Sequence, residues 1–305
     1  MKHVLSLFDL TTDEILAVLK KSSEMKMALE AGERPTLLKG MNLAMLFQKQ
    51  SLRTRVSFEA GMVQLGGNAM YLGADVGWGK RESVKDFSEV LSQYVDFIAV
   101  RAKEHQDVVD LAEFATCPVI NALTDYSHPC QALADVLTIQ EAYSDVSGKH
   151  LVYVGDANNV ARSLSIIALK LDMKITIVCP DAYHFTADEI REIQAGCGVD
   201  GEIVQTSQIA EGVATADAIY TDVWASMGQE SEQAIRAEAF AKYQVNEQLM
   251  ESAPDSAIFL HCLPARRGQE VSDGVMDGPQ SYVVQQAGNR MHAQKGLLVW
   301  LSEQS

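Results

Sequence analysis

The chain has 305 residues, 47% hydrophobic and 22% charged, an ordinary globular composition with enough length for two hydrophobic cores. Its 25 basic against 41 acidic side chains give a formal net charge of -16, which argues against nucleic acid or an anionic membrane as a partner. No stretch reaches the ~18 apolar residues of a membrane span, and the opening MKHVLSLFDLTTDEI meets acidic residues too soon for a secretory signal.

In chain order, short apolar runs predict strands at 42–47, 69–72, 97–100 and 118–121, then at 150–155, 174–179, 202–205, 218–223, 257–262 and 282–284. Amphipathic stretches between them, among them 54–65, 83–94, 129–142, 160–171 and 187–195, predict helices, and a last helix is expected from about Asn289 to Ser302. Near-continuous Val/Ile/Leu strands separated by helices indicate an α/β chain of two doubly wound parallel-sheet domains. The SDVSGK stretch at 144–149 is the linker candidate, so the expected domains are 1–143, joined by a returning C-terminal helix 289–305, and 144–288. A cleft between the domains is expected to hold the ligands, beyond the carboxyl ends of the strands. The five cysteines, Cys117, Cys130, Cys179, Cys197 and Cys262, are odd in number and scattered, which suggests reduced thiols in a cytoplasmic protein.

The strand-to-helix junctions carry the chemistry. After strand 42–47, SLRTR places Ser51 as a helix cap and Leu52, Arg53, Thr54 and Arg55 in the first turn. Two arginines at a helix N-terminus oppose the dipole, so they make sense with an anion bound, and paired guanidinium bonds suit phosphate. The bland alternative is a solvated basic turn. FIAVR ends a strand on Arg101, either a second cation for the same anion or a surface arginine. HPCQ puts His128 and Gln131 around a helix start, where an imidazole and a carboxamide can donate to a carbonyl oxygen or simply cap and pack.

VGDANNVARS lacks the glycine fingerprint of a dinucleotide site, and Asn158 and Asn159 can serve merely to make the turn. TDVWASMGQE ends a strand near Asp222, a carboxylate suited to an ammonium-bearing substrate or to a helix cap, followed by Ser226 and Met227. FLHCLPARRG ends a strand at Cys262 and Leu263, and Arg290 opens the last helix. The pairs His128/Cys130 and His261/Cys262 are too tightly spaced for usual zinc ligands, so no metal is expected.

SLRTR, HPCQ, DVWASMG and HCLP stand in the order and spacing of the carbamoyltransferases, and the chain resembles the ornithine carbamoyltransferase family over nearly its whole length. The resemblance implies transfer of a carbamoyl group from carbamoyl phosphate to the δ-amine of L-ornithine, without cofactor or metal, in a homotrimer whose active sites lie between subunits. It implies that Ser51, Leu52, Arg53, Thr54 and Arg55 form the phosphate cradle and that Arg101, His128 and Gln131 hold the carbamoyl group. Leu263 would offer its carbonyl to the carbamoyl amino group, with Arg290 a further cation. Asn159, Asp222, Ser226 and Met227 match the ornithine-contacting positions, and Cys262 lies by the reacting amine.

Arg53, Arg101, His128 and Cys262 are thereby the expected catalytic residues. The chain departs from the family at Leu52, where threonine is usual, and at Gly77 and Trp78, where glutamine and leucine are common. Trp78 is expected either to anchor a subunit interface or to reshape the acceptor site. The rival readings are another amine acceptor (N-acylated ornithine or putrescine), a nicotinamide-dependent oxidoreductase, and a non-catalytic anion-binding homologue.

Overall fold

In the computed structural model of the chain, residues 1–199, 201–225 and 230–304 are described. They divide into two compact units, Met1–Leu137 with Gly288–Ser305 and Thr138–Ala287.

The first unit begins with α1 (Thr12–Glu30), whose N-terminus is closed by a reciprocal capping box between Thr11 and Glu14. It continues through β1 (Asn42–Phe47), α2 (Leu52–Gln64), β2 (Asn68–Leu72), α3 (Val84–Leu91), β3 (Phe97–Arg101), α4 (His105–Phe114), β4 (Val119–Leu123) and α5 (Pro129–Tyr143). All four strands are parallel, in the order β2-β1-β3-β4. β3 is buried along its whole length, whereas β2, at the edge, is partly exposed. A strand covered on both faces has no polar side to declare, and FIAV reads accordingly as a continuous apolar run.

The second unit runs through β5 (His150–Val154), α6 (Asn159–Lys170), β6 (Lys174–Val178), α7 (Ala187–Cys197), β7 (Ile203–Thr206), α8 (Ile209–Val213) and β8 (Ala218–Thr221). After these come α9 (Gln233–Phe240), α10 (Glu247–Met250), β9 (Ile258–His261) and α11 (Asp273–Met276). Its five strands are again parallel, in the order β7-β6-β5-β8-β9. α6 is buried from Val160 to Lys170; its Arg162 reaches out to Glu189 and Glu192 of α7, so the buried guanidinium is paired.

The final helix, α12 (Val283–Ser302), starts earlier than the sequence predicts, and the strand expected at 282–284 does not form. Ser281 makes one parallel bridge to Phe259 and Tyr282 donates to the Phe259 carbonyl, after which the chain turns helical. β-branched Val283 and Val284 favour a strand locally, and the surrounding structure overrides that preference. From Gly288 onward α12 packs on the first unit: Lys26 donates to Asn289, Lys295 to Gln64, and Gly296 lies so close to Ser22 that a β-carbon would strike its hydroxyl. All five cysteines are free thiols. Among the described residues, no helix is long and apolar enough to cross a membrane.

Candidate active site

In an open parallel sheet, ligands bind beyond the carboxyl ends of the strands, where the order of winding reverses. In the first unit the chain winds from β1 outward to β2 and then returns to β3 on the other side, so the reversal lies between Phe47 and Arg101. These residues face each other in register, and the Gln48 N–H donates to the Arg101 carbonyl. The next loop at the same edge is 124–128, leading into α5.

Arg101, His128, Gln131, Thr54 and Arg290 are all brought to this edge and are all buried. Ser51 caps α2, its hydroxyl accepting from the Thr54 N–H at 3.3 Å. That leaves the N–H groups of Leu52 and Arg53 ahead of any acceptor within the helix. Arg290, from α12, donates to the Gln131 side-chain oxygen and, at 3.3 Å, to the Thr54 hydroxyl. Gln131 passes a hydrogen bond on to Asp135 at 2.7 Å.

Charge is the distinctive feature here. The Arg101 guanidinium is only 7% exposed, and no hydrogen-bond acceptor faces its Nε. Burial, with Arg290 and Arg53 close by, pushes its pKa down to about 10. His128 is held well below the ordinary histidine value by burial and then by Arg290 and Arg101, so its imidazole is neutral at physiological pH. Buried cations are normally paired with carboxylates. A buried guanidinium among like charges costs stability unless an anion joins it, and this arrangement suits a phosphate or an oxyanion.

Arg55 is not part of the group. Its Nε donates to Glu59 at 2.9 Å, and its guanidinium lies 4.2 Å from the Tyr71 ring centre, on the exposed side of α2. The helical period explains this: Arg53 and Arg55, two positions apart, point about 200° apart around the axis. Leu52 is 75% exposed, so the absent threonine hydroxyl leaves the backbone contribution intact. Trp78 is half-buried against the core cluster that contains Ile98 and Val108, with its indole N–H lacking an acceptor.

The second unit repeats the topology with opposite chemistry. Its winding reverses between β5 and β8, and the two chain ends there carry Asn158 and Asp222. Asn158 caps α6: its oxygen accepts from the Val160 and Ala161 N–H groups and from the Tyr153 hydroxyl, and its Nδ2 donates to Asp222 at 3.3 Å. Asn159, the predicted contact, is the first residue of α6. Asp222 also accepts from the Cys262 thiol at 3.1 Å and from the Val223 N–H at 2.8 Å. Ser226 and Met227 lie outside the described residues.

Behind Cys262, His261 sits wholly buried against Glu270, with Nε2 3.1 Å from the carboxylate, while its Nδ1 accepts from the Leu263 N–H at 2.9 Å. The Nδ1 bond places the ring proton on Nε2. Leu263 adopts a left-handed φ of 59°, a conformation that costs a residue with a β-carbon about 1–2 kcal/mol and is held here by that bond.

Asp222, His261 and Cys262 present ligand atoms within 4.8 Å of one another, a metal-like grouping that the sequence spacing hides because Asp222 is far away in the chain. Both imidazole nitrogens are engaged within the protein, and the thiol is bonded to the carboxylate. An ion would have to break one of these bonds. Sequence reasoning missed Asn158, His261 and Glu270. His261 adjoins a singled-out cysteine, but nothing in the ARRGQEV stretch marks Glu270.

The two α/β units thus carry opposite chemistry at their switch points, cations in one and a carboxylate, an amide and a thiol in the other. Comparison with known proteins names the family. Residues 2–141 match the carbamoyl-P binding domain, and residues 147–301 the Asp/Orn binding domain, of the aspartate/ornithine carbamoyltransferases. The chain belongs to this family.

A curated relative from Anoxybacillus flavithermus, named ornithine carbamoyltransferase, is 50% identical over 302 residues, covering 98% of this chain and 96% of the relative. The Pyrococcus furiosus ornithine carbamoyltransferase structure superposes with a TM-score of 0.91 at 46% identity, covering 97% of this chain and 96% of that one. The anabolic ornithine carbamoyltransferase structure from Campylobacter jejuni gives 0.92 at 34% identity, with both chains fully covered.

Proposed function

We propose that this chain transfers the carbamoyl group from carbamoyl phosphate to the δ-amine of L-ornithine, giving L-citrulline and phosphate. The observation that carries the reading is Arg101: a buried guanidinium set among Arg53, Arg290 and a neutral His128, with no carboxylate paired to it among the described residues.

The chemistry follows from charge. The uncharged δ-amine adds to the carbonyl carbon of carbamoyl phosphate, and negative charge grows on the carbonyl oxygen. Arg53, Arg101 and His128 donate to that oxygen, each charge-assisted bond contributing about 1.5–3 kcal/mol. Phosphate departs, taking up the proton that the δ-nitrogen loses, into the N–H groups at the start of α2, beside Ser51, Thr54 and Arg290. The Leu263 carbonyl accepts from the carbamoyl amino group. No covalent enzyme intermediate and no cofactor enters; preorganised charge and positioning supply the rate.

Asp222 is the counter-charge for the ornithine α-ammonium, Asn159 adds to the head-group contacts, and Cys262 stands by the reacting amine. Residues 1–143 with 289–305 form the carbamoyl-phosphate domain, and 144–288 the ornithine domain. A free α-amino group is what Asp222 answers to, which favours ornithine over putrescine or an N-acylated ornithine.

A cytoplasmic homotrimer completes the reading. It is supported by the free thiols and by an apolar stripe on α2, where Leu52, Val56 and Val63 are 75%, 50% and 69% exposed at helical spacing.

The test is a panel of amines offered with carbamoyl phosphate. L-ornithine is expected to give citrulline with kcat/KM at least about 100-fold above putrescine or N-acetylornithine, the discrimination lost when a site's charged partner is left unpaired. A preference for either competitor refutes ornithine as the acceptor.

A further inference from the structure

Arg236 has no place in the chemistry above, yet it is among the most heavily bonded side chains of the second unit. It lies on α9, is only 8% exposed, and makes three hydrogen bonds in different directions. Nη1 donates to the Asp156 carboxylate at 2.6 Å and to the Trp224 carbonyl at 3.2 Å, while Nε donates to Glu232 at 2.8 Å. Its guanidinium also lies 5.2 Å from the Tyr183 ring centre.

The two Nη1 partners stand on either side of the Asn158–Asp222 contact. Asp156 is two residues before Asn158 in the turn after β5, and the Asn158 N–H donates to the Asp156 carbonyl at 2.7 Å. Trp224 is two residues after Asp222 on the segment leaving β8. One nitrogen therefore ties together the two chain segments whose side chains meet at 3.3 Å.

From this geometry we infer that Arg236 is a positioning residue for acceptor binding. It fixes the separation of the β5 and β8 segments, and with it the orientation of the Asp222 carboxylate that receives the substrate ammonium. Asp156 is half the device. Its carboxylate is largely removed from water, and burial raises its pKa while the bond from Arg236 opposes that rise.

A lysine at 236 can pair with Asp156. Its point charge lacks the planar fork that reaches the carboxylate, the Trp224 carbonyl and Glu232 together. The geometry of Asp222 is thereby set by a residue that touches no substrate.

The inference rests on the second unit binding the amine acceptor, and the experiment separates the two. Wild-type protein, Arg236→Lys, Arg236→Gln, Asp156→Asn and the double variant Arg236→Gln/Asp156→Asn are assayed with each substrate varied in turn, and their Tm values are measured. In Arg236→Gln the KM for L-ornithine is expected to rise by about tenfold or more, the scale of a displaced binding group. The KM for carbamoyl phosphate should stay within about twofold.

Arg236→Lys should fall between wild type and Arg236→Gln, and the double variant should lose no more than the worse single, because both changes cut one link. If Arg236→Gln does not fold, Arg236→Lys carries the same readout. A fall in Tm or kcat with the ornithine KM unchanged overturns the inference, as do additive losses in the double variant. Failure of the wild type to use ornithine defeats the functional reading instead. The acceptor it does use then replaces ornithine in the same comparison.

Discussion

The two switch points share a topology and differ in everything chemical. At the end of β3, Arg101 is buried with cations around it and, among the described residues, no carboxylate paired with it. At the end of β8, Asp222 is buried with every oxygen engaged: Asn158, Cys262 and a backbone N–H bond it from within the protein. The first site gathers like charges and suits an anion; the second holds a carboxylate already bonded by its neighbours. The fold supplies the place, and the residues at the strand ends supply the sign. A transfer between a doubly charged acyl phosphate and an amino acid needs both signs, each at its own site.

The sharpest way to break this comparison is Arg101→Ala. If Arg101 stands ready for an anion, its removal should lower kcat/KM for carbamoyl phosphate by about 10³-fold, the range seen when a donor to a developing oxyanion is lost. The Tm should hold or rise, because the substitution relieves a buried charge among like charges. Steady-state kinetics and a thermal melt on the same sample decide it; a large loss of stability would mean that Arg101 is part of the scaffold.

Asp222→Asn probes the other sign. The asparagine oxygen can still accept from Cys262 and the Val223 N–H, while the charge and the acceptor for Asn158 go. The KM for L-ornithine should rise by about 10–100-fold, the loss of one charge-assisted bond to an ammonium, with the carbamoyl phosphate KM nearly unchanged. Equal increases in both would erase the division of labour between the two sites.

The smallest expected effect concerns His128 and acid. Its folded-state pKa lies well below the unfolded value near 6.5, so the folded protein binds the proton later than the unfolded chain does. The stability this group leaves intact at neutral pH is present above about 6.5 and is lost as pH falls toward its folded pKa. His3, His105 and His150 are shifted in the same direction, so only part of the acid loss belongs to His128. Melts of wild type and His128→Gln from pH 8 to pH 5 should converge as pH falls, the variant losing less. Parallel curves would place the proton elsewhere.

Much of this was legible beforehand. Strands such as FIAV and HLVYV announce themselves because doubly covered strands are apolar at every position. SLRTR and HPCQ point to helix starts because capping chemistry is local. The strand expected at 282–284 failed because two valines carry a weak preference that packing outvotes. Arg55 read as a phosphate ligand by composition, and the helix turned it toward Glu59. Asn158, next to the residue singled out for the head group, reaches Asp222 because its cap geometry turns its amide that way.

By itself, the sequence determined the alternation of strands and helices, the placing of charged and polar residues at strand ends, and the family. These are local or cumulative signals, written in runs, caps and motif spacing. Only the tertiary structure decided that Arg290 meets Thr54 and Gln131, that His261 is backed by Glu270, and that Arg236 ties the β5 segment to the β8 segment. Such partners are set by parallel strand register and helix packing across long separations, where no spacing along the chain records which side chains will meet.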